Sequence, residues 1–361
     1  MRAGEAYFSP DGRWIIFQAV ATPKEGQAPE PFYAMYVARL VRDGKGGRVE
    51  GLSDITRISP AGTANTCGWF NPTNPSLVLY GSTLVRPADD QKAGFQVGSR
   101  KYVWMFPAEM EVVEQAAFVV AGGLGDRNYS RGPVKTGSTP GAVFARPNYD
   151  AECSYSSDGR FILYAHVNDY AEGEKADADI WVYDTNTKEQ HALVQAKGYD
   201  GGPFFSPDGK RICYRSDRKG DDLLQLFVAD LKFGKAADGA MAPIGIEREY
   251  QLTDNEHVNW APYWHPSGRF LVYGTSEVGH SNYEVFAVDV DMEALRAGKA
   301  PADLPRRRIT QASGADVLPA FSTDGKLMMW TSQRAPKQEG EDRASSQLWI
   351  AEWNDGPSTA D

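Results

Sequence analysis

Five oxygen-bearing side chains recur at one spacing in this chain of 361 residues. Asn65, Asp150, Asp200, Asn259 and Asp316 each stand five residues before an aromatic, at Phe70, Tyr155, Phe205, Trp264 and Phe321, and only Ala3, five before Phe8, breaks the column. Three carboxylates brought to one point repel, and protonation, water or a bound cation relieves the repulsion. An all-oxygen donor set favours Ca2+ or Mg2+ over zinc. The five residues are therefore the candidate metal ring, with Ca2+ or Mg2+ as the candidate cofactor. The same residues also admit a plainer role, because Asn and Asp at a loop-to-strand junction bond to neighbouring backbone. Glu5 and Glu152, three residues before their aromatics, are expected one step deeper.

A second set lies in the loops that should return to the same end: His166, Asn168 and Asp169; Arg215, Asp217 and Arg218; Glu277 and His280; Gln333 and Arg334. Long loops at 83–100, 168–178 and 333–345 share that face, and long loops on a rigid scaffold are where binding resides. Of five histidines, His257 and His280 are the acid-base or ligand candidates. His265 reads as an exposed turn residue and His191 as a surface residue of an outer strand. The candidate ligand-binding residues are His166, Arg215, Arg218, His257, Glu277 and His280. No catalytic residue is assigned: there is no G-x-S-x-G elbow, HExxH or phosphate loop, and "GSTPG" at 137–141 has Thr at the nucleophile position. That string ends a Gly-rich insertion, 117–141, expected to be mobile and to leave at the opposite end.

The elements that must position these residues are legible as six copies of one segment. They end at Phe17, Tyr80, Tyr164, Tyr214, Tyr273 and Trp330, and the aromatics that mark their register are 50 to 85 residues apart, a blade-sized period. "GPFFSPDGKRICY" shows the local physics: Ser opens the turn, Pro presets φ and Gly takes the left-handed position, so each copy is a β-hairpin. Further strand patterns follow, such as "QLFVADL" at 225–231 and "YQLTD" at 250–254. Four strands in each of six repeats make an all-β, six-bladed β-propeller of four-stranded antiparallel blades. One domain is expected over 1–361, with blades near 1–59, 60–145, 146–195, 196–254, 255–312 and 313–354. Inner strands are expected at 3–9, 65–71, 150–156, 200–206, 259–265 and 316–322.

A net charge of −10, from 38 basic and 48 acidic residues, argues against nucleic acid and anionic membrane surfaces as partners. No apolar run reaches the length of a membrane helix, so membrane insertion is not expected. Cys67, Cys153 and Cys213 lie inside strand patterns and read as small buried side chains without disulfides. The sixth repeat has no outer strand after it, so a strand preceding residue 1 is expected to complete that blade.

"FFSPDGKRICYRSD", followed by "LFVADL" and "YQLTD", resembles the repeat of the TolB-like propeller family, relatives of the tricorn and dipeptidyl-peptidase propellers. The resemblance covers nearly the whole chain. It implies six blades and a periplasmic or secreted location, while the same scaffold serves docking, gating and support. Two functions are expected from here. The first is a non-catalytic binding or scaffold propeller, a monomer holding a protein, peptide or glycan at the channel-mouth loops. The second is a metal-assisted lyase or hydrolase acting on polysaccharide or peptide at that face.

Overall fold

The Ser-Pro-Asp-Gly turn builds each hairpin from its own atoms. In the fourth copy the Ser206 hydroxyl donates to Asp208 Oδ1 at 2.6 Å, that oxygen accepts the Lys210 amide at 3.1 Å, and the Gly209 amide returns to the Ser206 carbonyl at 2.8 Å. Gly209 sits at φ +67°, a conformation glycine adopts without a Cβ penalty. Ser9 with Asp11, Ser156 with Asp158 and Ser322 with Asp324 repeat the arrangement.

A computed structural model describes residues 1–44, 47–88, 106–117, 138–169, 176–337 and 344–354. The first sheet holds β1 (Arg2–Phe8), β2 (Trp14–Val20), β3 (Ala34–Arg42) and β4 (Val49–Arg57). The second holds β5 (Asn65–Phe70), β6 (Leu77–Ser82), β7 (Glu111–Ala116) and β8 (Gly141–Ala142). The third is β9 (Asp150–Tyr155), β10 (Phe161–Asp169), β11 (Asp177–Asp184) and β12 (Gln190–Val194). The fourth is β13 (Asp200–Phe205), β14 (Arg211–Ser216), β15 (Gln225–Lys235) and β16 (Met241–Gln251). The fifth is β17 (Asn259–Trp264), β18 (Phe270–Thr275), β19 (Glu284–Asp289) and β20 (Arg306–Arg308), with a short helix α1 (Met292–Arg296) before its last strand. The sixth is β21 (Asp316–Phe321), β22 (Leu327–Ser332) and β23 (Gln347–Glu352).

Each sheet is an antiparallel meander, so the chain is a six-bladed propeller with inner strands within one residue of the expected spans. The sixth blade departs from the four-strand pattern: among the described residues it has three strands, and Trp349 on its outer strand is 38% exposed.

An apolar layer separates each pair of neighbouring blades, because strand faces alternate and both faces of a blade must be covered. Leu163 and Ile180 pack on Ile212 and Tyr214 between the third and fourth blades, and Phe270 and Val272 on Phe321 and Trp330 between the fifth and sixth. The ring closes where Ile15 and Phe17 meet Met329, with the Ala3 amide donating to the Ser346 carbonyl at 2.9 Å. Cys67, Cys153 and Cys213 are free thiols. No helix among the described residues is long and apolar enough to cross a membrane.

Candidate functional site

Every inner strand slips register once, between Gly4 and Ala6 in β1 and at the matching point of each other blade. Such a bulge breaks the two-residue alternation and re-aims one side chain. The residue three before each aromatic mark occupies it: Glu5, Cys67, Glu152, Gly202, Ala261 and Leu318, with φ of 41°, 51°, 57°, 59°, 53° and 56°. All six line one cavity of about 510 Å3 in the channel. Left-handed backbone costs a residue with a Cβ about 1–2 kcal/mol, and such strain collects at functional sites.

Two residues further along the strands, four aromatics close the channel. Tyr7 and Phe204, from the first and fourth blades, approach to 5.8 Å between ring centroids, and Trp69 and Tyr263, from the second and fifth, to 6.2 Å. Every pair among these four rings lies within 6.2 Å, so their packing fills the channel at this level and the cavity is a blind well. Ala64, Asn65 and Tyr149, where inner strands begin, line its other end.

Two carboxylates stand above this floor. Glu152 Oε2 accepts Arg215 Nη2 at 2.9 Å and the Gly202 amide at 2.6 Å, while the Tyr199 hydroxyl donates to both carboxylate oxygens, at 2.8 and 2.6 Å. Arg215 Nη2 also donates to the Tyr199 hydroxyl oxygen at 2.8 Å. The "YDGGPFF" run makes this possible: a Cβ on Gly202 would lie 1.9 Å from Arg215 Nη1, and one on Gly201 2.2 Å from the Tyr199 hydroxyl. On the other side Glu5 accepts the Cys67 thiol at 3.0 Å, the Tyr7 hydroxyl at 3.3 Å and the Thr66 hydroxyl at 3.2 Å.

Burial pushes the Glu5 carboxyl above its ordinary range, against the lowering influence of the Cys67 hydrogen bond and of Arg215. Burial, then the Glu5 charge, holds the Cys67 thiol far up, so it is protonated at neutral pH, the reverse of an activated nucleophile. The walls are aromatic, including Phe32, Tyr33, Phe106 and Trp260. Carboxylates beneath aromatic faces suit a cationic group, which gains both ion pairing and ring-quadrupole attraction.

The predicted metal column takes a different place. Asp150, Asp200, Asn259 and Asp316 are fully buried and Asn65 nearly so, each held by its own surroundings. Asp150 Oδ1 meets His166 Nδ1 at 2.8 Å, Asp200 accepts the Ala196 amide at 2.9 Å and Arg218 at 3.3 Å, and Asp316 accepts Arg334 at 2.6 Å and the Trp330 indole at 3.2 Å. Asn65 donates to the Tyr33 carbonyl at 2.9 Å, and Asn259 to the His257 carbonyl at 3.1 Å and Asn255 Oδ1 at 2.9 Å. The three aspartates form no such cluster: among the described residues no group of three or more His, Cys, Asp or Glu could hold a metal ion. A carboxylate sealed in a blade takes the nearest donor of that blade.

The six candidate ligand residues divide. Arg215 lines the well, and His280 lines an adjoining lobe of about 390 Å3 between the sixth and first blades. His166 is buried against Asp150. Arg218 binds Glu249 at 2.6 Å and stacks 4.2 Å over Phe227. Glu277 pairs with Arg306, and His257 lines neither lobe. His265, expected exposed, is 5% exposed because its ring stacks 4.4 Å from Phe270. Of the long loops, residues 89–105, 170–175 and 338–343 lie outside the described residues, as does most of the Gly-rich insertion, 118–137.

Tyr149, Tyr199, Cys67 and Gly202 were missed by reading type and spacing. Cys67 and Gly202 stand three before their aromatic marks, a chemically irregular column where Glu5 and Glu152 already stood, and Tyr149 and Tyr199 stand six before theirs.

No protein-family model matches the chain. It is 41% identical over 115 residues to "Dipeptidyl-peptidase 5" of Porphyromonas gingivalis, covering 30% of this chain and 16% of that protein. It is 25% identical over 202 residues to "Uncharacterized peptidase YuxL" of Bacillus subtilis, covering 49% of this chain and 28% of that protein. The chain thus spans less than a third of the length of either relative. Among solved structures, TolB from Acinetobacter baumannii superposes with a TM-score of 0.51 at 15% identity, over 97% of this chain and 61% of that one. That likeness concerns the fold.

Proposed function

We propose that this TolB-like six-bladed propeller, distantly homologous to propeller-containing peptidases, is a binding module that takes a peptide amine into its blind well. The observation that carries the reading is the pair Glu5 and Glu152, buried under aromatic walls in a well closed by Tyr7, Trp69, Phe204 and Tyr263. Glu152 already holds Arg215, whereas the donors to Glu5 are the neutral Cys67, Tyr7 and Thr66 groups, and a peptide ammonium brings it a charge and three donors. The names of the two relatives support a peptide over a glycan.

The chemistry of the well favours binding over turnover. None of the five histidines lines the acidic lobe, and both thiols there, Cys67 and Cys153, are held protonated by burial. The test is calorimetry with short peptides against the wild type, Glu5→Gln and Glu152→Gln. Binding weakened about tenfold or more by either substitution supports the reading. Peptide hydrolysis abolished by the same substitutions would replace it with an enzyme.

A further inference from the structure

A second cavity adjoins the well. Gln18, Tyr33, Trp260 and Leu318 line both the acidic lobe and the second lobe, so the two share a wall. Their charges are segregated. The first lobe is lined by Glu5, Glu109 and Glu152, with Arg215 engaged by Glu152. The second is lined by Arg2 and His280, and by no Asp or Glu among the described residues.

Arg2 is placed to act on a ligand. Its guanidinium lies 5.1 Å over the ring of Tyr33, on the shared wall. Stacking on a ring face leaves the in-plane N–H donors at the edge of the group, which is the geometry that binds a carboxylate through two parallel hydrogen bonds. Among the described residues Arg2 has no ion pair, whereas Arg215, Arg218 and Arg334 are each committed to a carboxylate of their own blade or its neighbour. At the level where Tyr149 and Tyr199 stand in the third and fourth blades, six residues before the aromatic mark, the first blade presents a cation instead.

Resting on the peptide-binding reading, we infer that the ligand is a short peptide with both termini free. Its ammonium enters the Glu5–Glu152 lobe, its backbone crosses the wall of Gln18, Tyr33 and Trp260, and its terminal carboxylate meets Arg2 beside His280. The dipolar mouth selects against longer chains, whose carboxylate lies elsewhere, and against amidated ends.

The test uses a tripeptide library limited to uncharged side chains, so that the termini are the only charges, in free, N-acetylated and C-amidated forms. Affinities are measured for the full chain, Arg2→Gln and Glu5→Gln. Arg2 is exposed, so its replacement leaves the core intact. The expected result is a loss of about tenfold on amidation in the wild type that vanishes in Arg2→Gln, and a loss on acetylation that vanishes only in Glu5→Gln. If acetylation weakens binding and amidation does not, the carboxylate inference falls while the peptide-binding reading stands. If the free library fails to bind, both fall.

Discussion

Arg215 reaches Glu152, at 2.9 Å, across a residue that has no side chain: the guanidinium occupies the space a Cβ on Gly202 would need. The pair joins the third and fourth blades inside the well. Gly202→Ala should therefore displace Arg215 as well as strain the backbone at φ +59°. Gly209, at φ +67° in an open turn with nothing within 4 Å, supplies the control. Gly209→Ala should cost about 1–2 kcal/mol from backbone strain alone, and Gly202→Ala more, measured by urea unfolding. Equal losses would mean that the guanidinium moves aside freely.

Ligand binding should fall as the solution is acidified. Burial holds the Glu5 carboxyl above the ordinary glutamate range, and its protonation removes a charge that an ammonium meets. The midpoint should lie above that of an exposed glutamate, and Glu5→Gln should flatten the profile. A profile unchanged by that substitution would remove Glu5 from the site.

Asp200 should make stability itself depend on pH, in the opposite sense. Burial raises its carboxyl from 3.8 to about 6, so the folded state holds this proton more tightly than the unfolded chain. Its contribution is complete below the unfolded value and is lost as pH rises through about 6. The difference in unfolding free energy between wild type and Asp200→Asn should shift by about 3 kcal/mol across that window. Parallel curves would show that Arg218 and the Ala196 amide offset the burial.

Ala261→Gly should raise stability slightly. The residue sits at φ +53°, where a Cβ is strained, and glycine's greater freedom when unfolded takes back part of the gain. A net increase of about 0.5 kcal/mol is expected. A decrease would place the well's backbone strain elsewhere.

The melting temperature should not respond to calcium or to a chelator. Asp150, Asp200 and Asp316 are each engaged by a separate partner, His166, Arg218 and Arg334. A calcium-dependent rise, lost in an Asp200→Asn, Asp316→Asn double variant, would restore the metal ring.

Much of the fold was determined by the sequence alone, because its determinants are local. A Ser-Pro-Asp-Gly turn satisfies its own hydrogen bonds whatever surrounds it, and alternation of apolar residues decides which strand faces are buried. The periodic Asx column was equally visible, and its regularity reflected the same structural task performed in successive blades. The well was decided only by tertiary structure. A one-residue bulge in each inner strand turns Glu5, Cys67 and Glu152 into the channel, and no residue type announces it, since glutamate, cysteine, glycine, alanine and leucine all occupy the position. Glu152, Tyr199 and Arg215 meet across two blades because ring closure sets the distances between inner strands. Spacing along the chain carries no information about that closure, so side chains whose role depends on it acquire that role only when the propeller is assembled.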